Sequence, residues 1–359
     1  MKPTPINTGL QKLALMGDGE SVHIVKWALE LRKYFDLHII SFRGLHSELE
    51  TLFAPEKVRC YHLTFDSDGG NIQVLKKTFE IARLIKKWKI EVVNAHYLTS
   101  AGLVAALAKQ WNFNSFKLIQ STWGSDVLVS PKRNWAYRMV SIFALWKANF
   151  VTSDSEFMSQ VIMEIYRCPV DTFPFGLNQM PKCQFDQKDP NLFFSNRGLN
   201  AIYRIDKVID LFNELHILNP DIKLIIANNG NLKEQLIEKA KNLGISDSVD
   251  FVGFLDSNQQ AELYSKAQFY LSLPESDSTA VSLLEAMGYG CIPILSDIPA
   301  NHEWVKDQEN GIIFKGSASK ILEMLPQAKD IFNFNRNLIQ KKAIFSDQLK
   351  QFLAKHKLI

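Results

Sequence analysis

Short apolar runs closed by turn residues alternate with segments of helical period along almost the whole chain, and that alternation leaves few folds open. A short, wholly apolar strand has to be buried on both faces, and a parallel neighbour needs a helix to bring the chain back. In the first half the runs predict strands over 13–16, 37–41, 92–95, 117–121 and 150–153, with helices over 21–34 and 99–111 between them. In the second half they predict strands over 192–195, 223–227, 250–253, 269–273, 293–296 and 312–314. A chain of 359 residues is too long for one core, so the two sets read as two doubly wound, Rossmann-like α/β domains. The Pro-rich, polar stretch between them reads as a linker. The expected division is 1–172 for the N-terminal domain, 173–190 for the linker, 191–334 for the C-terminal domain, and a basic amphipathic helix over 335–355, within a tail 335–359 that packs back on the first domain. Ligands of such sheets bind beyond the carboxyl ends of the strands, so two of them in series are expected to face a shared cleft.

Composition removes several classes. With 46% apolar and 22% charged residues the chain is an ordinary folded one, and a net charge of +3 is too small to argue for nucleic acid. The start, "MKPTPINTGLQKLALMGDGE", lacks the pattern of a secretory leader, and the near-apolar run from Met139 to Trp146 is far short of the roughly 20 residues that span a bilayer. A cytoplasmic protein is expected. Cys60, Cys168, Cys183 and Cys291 have no paired close spacing, so neither a zinc site nor a disulfide framework is indicated. The positive charge is uneven: "PKRNWAYRMVSIFALWKANF" carries four basic residues and no acid.

The turns after the strands hold the chemistry. "GDGES", ending the first strand, lets backbone N–H groups approach an anion at Gly17 beside a helix N-terminus, although a plain turn with a serine cap explains it equally. In "FFSNRGLNAIYRIDKVIDLF", Arg197 and Arg204 are placed to converge on a diphosphate, each offering a fork of donors, or to be two solvated arginines. In "LPESDSTAVSLLEAMGYG", Asp277 lies on a turn and Glu285 about two helical turns further on. A carboxylate accepts without donating, which suits vicinal hydroxyls of a sugar or ribose. The plainer possibility is a helix cap at Asp277 and a solvated Glu285.

The stretch "DSTAVSLLEAMGYGCIPILSD" closely resembles the Glu, seven residues, Glu signature of retaining glycosyltransferase family 4, whose members have the GT-B fold. The resemblance extends through "GDGESVHIVKW", "VNAHYLTSAGLVAALA", "STWGSDVL", "FPFGLN", "SNRGLNAIYRIDKVIDLF", "VDFVGFL" and "NHEWVKDQENGIIF". It implies that Glu285 holds the ribose hydroxyls of a nucleotide-sugar donor and that Asp277 contacts its sugar. It also implies that the amides of Ser278, Thr279, Ala280 and Val281 meet sugar and phosphate, that Val252 to Phe254 line the base, and that Arg197, Arg204 and Gly17 lie near the phosphates. Three positions depart from the family: Asp277 stands for a glutamate, Arg204 for a lysine, and Trp123 for a histidine frequent in relatives. His96, Trp123 and Asp126 are candidates for the acceptor side.

The implied reaction is transfer of a sugar, with retention, from a UDP-sugar or a GDP-sugar to a saccharide or lipid-linked acceptor in surface polysaccharide or glycolipid synthesis. Two cations and a helix tip on the diphosphate make a metal redundant, so no metal and no cofactor are expected. A basic, aromatic helix is expected over 132–147, which suits an anionic membrane surface, giving a peripheral location on the cytoplasmic face, or is a solvated domain face. The alternatives are a GT-B epimerase or phosphorylase, and a catalytically idle subunit that binds nucleotide sugars.

Overall fold

The computed structural model describes residues 9–53, 60–62, 70–316 and 318–359. Residues 1–8, the start of the stretch read above for a leader, lie outside the described ones. Two compact units divide the chain: one takes in 1–154, 158–172 and 353–359, the other 155–157 and 173–352.

In the first unit seven parallel strands are described: β1 (Lys12–Gly17), β2 (Asp36–Ser41), β3 (Cys60–His62), β4 (Val92–His96), β5 (Lys117–Ser121), β6 (Phe150–Ser153) and β7 (Asp171–Thr172), in the spatial order β3-β2-β1-β4-β5-β6-β7. The second unit holds β8 (Asp189–Ser195), β9 (Lys223–Ala227), β10 (Val249–Gly253), β11 (Ala267–Ser272), β12 (Ile292–Ser296) and β13 (Ile312–Phe314), in the order β10-β9-β8-β11-β12-β13. Both sheets are α/β and doubly wound, and each reverses strand order once beside its first strand. Those reversals, between β1 and β4 and between β8 and β11, are where such sheets open a crevice for ligands. In the first unit the register sets Met16 against Ala95, which brings Gly17 and His96 together at the strand ends.

Every strand expected from the sequence is present, while β3 and β7 were not expected. Both are short edge strands, one of three residues and one of two, with no apolar run to announce them. The central strands are buried along almost their whole length because helices cover both faces of each sheet. Three of the polar exceptions in the first unit form a chain: Thr152 Oγ1 donates to Ser121 Oγ at 2.9 Å, and Ser121 Oγ donates to Asn94 Oδ1 at 2.9 Å.

Three helical expectations need correction. The helix expected over 99–111 is an α-helix over Gly102–Trp111 preceded by a wider turn over Tyr97–Ala101. The segment 132–147 breaks at Asn134, whose extended backbone and side chain cap Trp135–Lys147 by accepting from Tyr137 N at 3.0 Å. The helix expected over 335–355 is two helices, Ala328–Lys342 and Phe345–Lys355. The break exists because residues 343–345 pair with Leu177: Leu177 N donates to Ala343 O and Phe345 N to Leu177 O, both at 2.8 Å. Leu177 is therefore part of the second unit's core rather than of a free linker, and of the tail only 353–359 group with the first unit.

Candidate functional site

In the second unit the chain leaves β8 at Ser195 and reaches Arg197 two residues later, at the switch point. Arg197 is only 9% exposed, and its guanidinium is held on two sides. Nη2 pairs with Asp277 Oδ2, and Nη1 donates to Ser282 Oγ at 3.2 Å. The Tyr203 ring lies beneath it, 4.4 Å from the guanidinium carbon. Burial alone would lower its affinity for a proton, but Asp277 more than offsets this, so Arg197 remains a cation. Its Nε, also buried, has no hydrogen-bond partner.

Ser282 is the second residue of the helix Val281–Gly288, which follows β11 and the turn 273–280. No side chain caps this helix: its N-cap is Ala280, with extended backbone. Asp277 is thus not the cap. It pairs with Arg197 and accepts from Ser278 N at 2.9 Å. Arg197 thus reaches the first turn of this helix through Ser282 and has the Asp277 carboxylate as its counter-ion. The turn is firmly placed: Ser278 and Ser155 hydroxyls are 2.7 Å apart, and Trp304 Nε1 donates to Thr279 Oγ1 at 3.2 Å.

Glu285 joins the same network rather than pointing to solvent. Tyr264 Oη lies 3.2 Å from its Oε2 and 3.3 Å from the Ser282 carbonyl, and accepts from Asn196 Nδ2 at 2.9 Å. Burial pushes the Tyr264 phenol well above its usual range, so it stays a donor. Asn196 is fixed in turn by Asn228 Nδ2 at 2.7 Å. The helix can sit this close because Gly290, with φ of +77°, ends it in the left-handed region, where the Phe332 ring also leaves no room for a Cβ.

Arg204 approaches from the other side of the turn. It has φ of +49° and stands just before the helix Ile205–Leu218. Its Nε and Nη2 fork onto Asp206 at 3.0 Å each, and Nη1 donates to Glu275 Oε1 at 2.6 Å. Those bonds from Arg204 hold Asp206 below the ordinary carboxylate range. A cavity of about 430 Å³ opens beside Arg204, Asp206, Gln235, Lys239 and Glu275. Val252 and Phe254 flank Gly253 at the end of β10, and Phe254 is 72% exposed.

The first unit places its candidates around β1, β4 and β5. Gly17 ends β1, where a Cβ would stand 2.8 Å from Ile24 Cδ1. The following turn is the serine-capped one: Ser21 Oγ accepts from His23 N at 3.2 Å. His96 is buried, and desolvation, with a smaller contribution from His23, pushes it down to about 3; His23 falls to about 4 for the same chief reason. The His96 ring packs against Trp27 and Trp123, and its Nε2 is buried without a hydrogen-bond partner. Tyr97, with φ of +69°, stacks on Trp123 at 6.2 Å. Asp126 is buried and spoken for by backbone: Oδ2 accepts from Leu98 N at 2.9 Å and Oδ1 from Trp123 N at 3.0 Å. Desolvation still raises its carboxyl above the usual value. Asp126 therefore ties the turn after β4 to the turn after β5, which is a scaffold task.

The structure brings Arg197, Asp277 and Glu285 into one network, with Arg204 at its margin through Glu275. Sequence reasoning missed Asn196, Tyr264, Glu275 and Ser282. The hydroxyl at the second helical position was the one available signal; Tyr264 carries none, since it arrives from another helix. Among the described residues no group of three or more His, Cys, Asp or Glu is placed to hold a metal ion.

Two family descriptions match the chain, "Glycosyl transferase 4-like" over residues 12–155 and "Glycosyl transferases group 1" over 178–341. The N-acetyl-alpha-D-glucosaminyl L-malate synthase of Bacillus anthracis is 22% identical over 68% of this chain and 68% of its own. The capsular polysaccharide biosynthesis glycosyltransferase CapH of Staphylococcus aureus is 20% identical over 89% of this chain and 91% of its own. Among solved structures, the Anabaena protein HepE in complex with UDP superposes with a TM-score of 0.77 at 14% identity, covering 98% of this chain and 100% of that one, a likeness of fold.

Proposed function

The chain belongs to the group 1 glycosyltransferases of the family 4 type and has their GT-B fold of two Rossmann-like domains, and from that premise we propose that it transfers a sugar from a nucleoside-diphosphate donor, a UDP-sugar before a GDP-sugar, with retention of configuration and without a metal. The observation that carries this reading is Arg197, a buried cation at an uncapped helix start with a further N–H unused. A buried cation needs a counter-ion, and a helix start beside it favours a further negative group. Asp277 is that counter-ion in the free protein, and a diphosphate takes over the task when the donor binds. Asp277 then turns to a hydroxyl of the donor sugar. Glu285, oriented by Tyr264, takes the ribose hydroxyls, and Val252 and Phe254 offer an exposed apolar edge to the base.

In the proposed reaction the bond from the anomeric carbon to the diphosphate breaks and the bond to the acceptor oxygen forms on the same face. The acceptor proton passes to the departing phosphate oxygen. Charge growing on that phosphate is stabilised by Arg197, by Arg204 and by the amides at the start of Val281–Gly288, a kind of donor whose removal costs about 2.7–4 kcal/mol each. We assign the acceptor, a saccharide or a lipid-linked saccharide, to the carboxyl edge of the first unit's sheet around His96, Tyr97 and Trp123. The helix Trp135–Lys147 supports a cytoplasmic, membrane-peripheral site of action: Trp135 is 79% exposed, and Met139 and Trp146 are exposed beside Lys132, Arg133, Arg138 and Lys147. No helix of the described residues is long and apolar enough to cross a membrane.

The test is donor turnover. Wild-type chain incubated with UDP- and GDP-sugars should hydrolyse one of them slowly, with the released sugar keeping its anomeric configuration by NMR. Arg197→Ala should lower affinity for the matching diphosphate about 10- to 100-fold, the scale of a lost charged hydrogen bond. Undiminished affinity in that variant, or binding with no hydrolysis and no transfer, would remove the reading.

A further inference from the structure

Glu275 takes one of the donor corners that Arg204 could otherwise offer to an anion. Arg204 has three bonded corners, and they are not equivalent. Nε and Nη2 share the Asp206 carboxylate, and Asp206 sits in the first turn of the helix Ile205–Leu218, where the helix dipole favours a negative group. That pair has two good bonds and a fixed neighbour in sequence. The third corner, Nη1, is taken by Glu275 alone, through a single 2.6 Å bond from a side chain that is 62% exposed. Glu275 is kept near by its backbone: its N–H donates to Ile202 O at 2.9 Å, in the turn directly before Arg204. The side chain is therefore free to swing away without moving the loop.

We propose that Glu275 is an internal anion that competes with the diphosphate for Nη1 of Arg204. This rests on the donor reading above, and it adds a residue and a direction to it. With donor bound, Nη1 turns to a phosphate oxygen, Glu275 swings into solvent, and the Asp206 fork keeps the guanidinium in place. After transfer, Glu275 returns to Nη1 and weakens the hold on the departing nucleoside diphosphate, so it is a positioning residue that hastens product release. A guanidinium is needed for this exchange, because an ammonium at residue 204 has no separate planar corners with which to keep one carboxylate while releasing another.

The experiment is calorimetric titration of UDP, GDP, uridine and guanosine into wild-type chain, Glu275→Gln and Glu275→Ala. Loss of an exposed, singly bonded competitor should tighten binding of the matching diphosphate about two- to fivefold in both variants, while the nucleoside without phosphate binds as it does to wild type. Equal or weaker diphosphate binding in the variants, with wild-type binding intact, overturns the proposal. So does a parallel change for the nucleoside, which would mean that Glu275 acts on the pocket as a whole. A wild-type chain that binds neither diphosphate overturns the donor reading, and this proposal with it.

Discussion

The two sheets reverse strand order in the same way, yet the chain furnishes the two carboxyl edges by opposite means. Around β1, β4 and β5 it gathers Trp27, His96, Tyr97 and Trp123, with His23 against Trp123, and burial strips the two imidazoles of charge. Around β8 and β11 it gathers Arg197, Arg204, Asp277 and Glu275 and keeps the charges, because each cation there meets a carboxylate. A titratable group taken out of water must lose its charge or find a counter-ion. The first edge takes the former course and the second the latter, so the fold supplies the place and the side chains decide its electrical character.

Acid should break this comparison most strongly. His96 titrates near 3 in the folded chain and at 6.5 as an unperturbed group, so between those values the unfolded state binds more protons and stability falls as pH falls. The full shift corresponds to about 5 kcal/mol, with His23 adding in the same sense between 6.5 and 4. Asp126, whose carboxyl is raised, works in the opposite sense, so the variant rather than the bare profile isolates the imidazole. Denaturant unfolding from pH 7 to 4 should show a clearly flatter loss of stability in His96→Gln than in wild type; equal slopes would show that His96 is not buried neutral.

The second edge should break by charge instead. Arg197→Met leaves Asp277 beside a helix without its partner, and should cost about 3 kcal/mol, the lower end for breaking a buried pair because Asp277 is partly exposed. Adding Asp277→Asn should restore much of that loss in the same denaturant assay. If the double variant is as unstable as the single, packing rather than charge holds this corner.

Much of the frame was legible in residue order. Strand positions followed from apolar runs, because parallel strands buried on both faces must be apolar throughout. The closeness of Arg197 to Asp277 followed in outline, since both lie just past strands that flank the switch point. What residue order did not disclose depends on partners far along the chain: Tyr264 reaching Glu285 from another helix, Leu177 splitting the last helix pair, and the left-handed Tyr97. Asp126 looked like a ligand-facing acid and is a brace, because only the fold shows that two backbone N–H groups occupy it.

Two smaller effects sharpen the contrast. Asp126→Asn keeps an acceptor for only one of the two amides it now serves, and should cost about 1–3 kcal/mol in thermal or denaturant unfolding, with the Trp123 fluorescence shifted. Ser282→Ala removes the acceptor shared by Arg197 and by the Tyr270 hydroxyl at 2.7 Å, and should cost about 1–2 kcal/mol.

Neither unit is contiguous in sequence. Residues 353–359 complete the first unit, with Leu353 and Leu358 buried and His356 both bonded to Asp171 at 2.7 Å and packed on Phe150. During synthesis the first unit therefore cannot close until all of 173–352 has been made. A nascent chain halted anywhere in 173–352 carries a first unit with an open apolar seam, which 353–359 can fill only after they have been made and have left the ribosome.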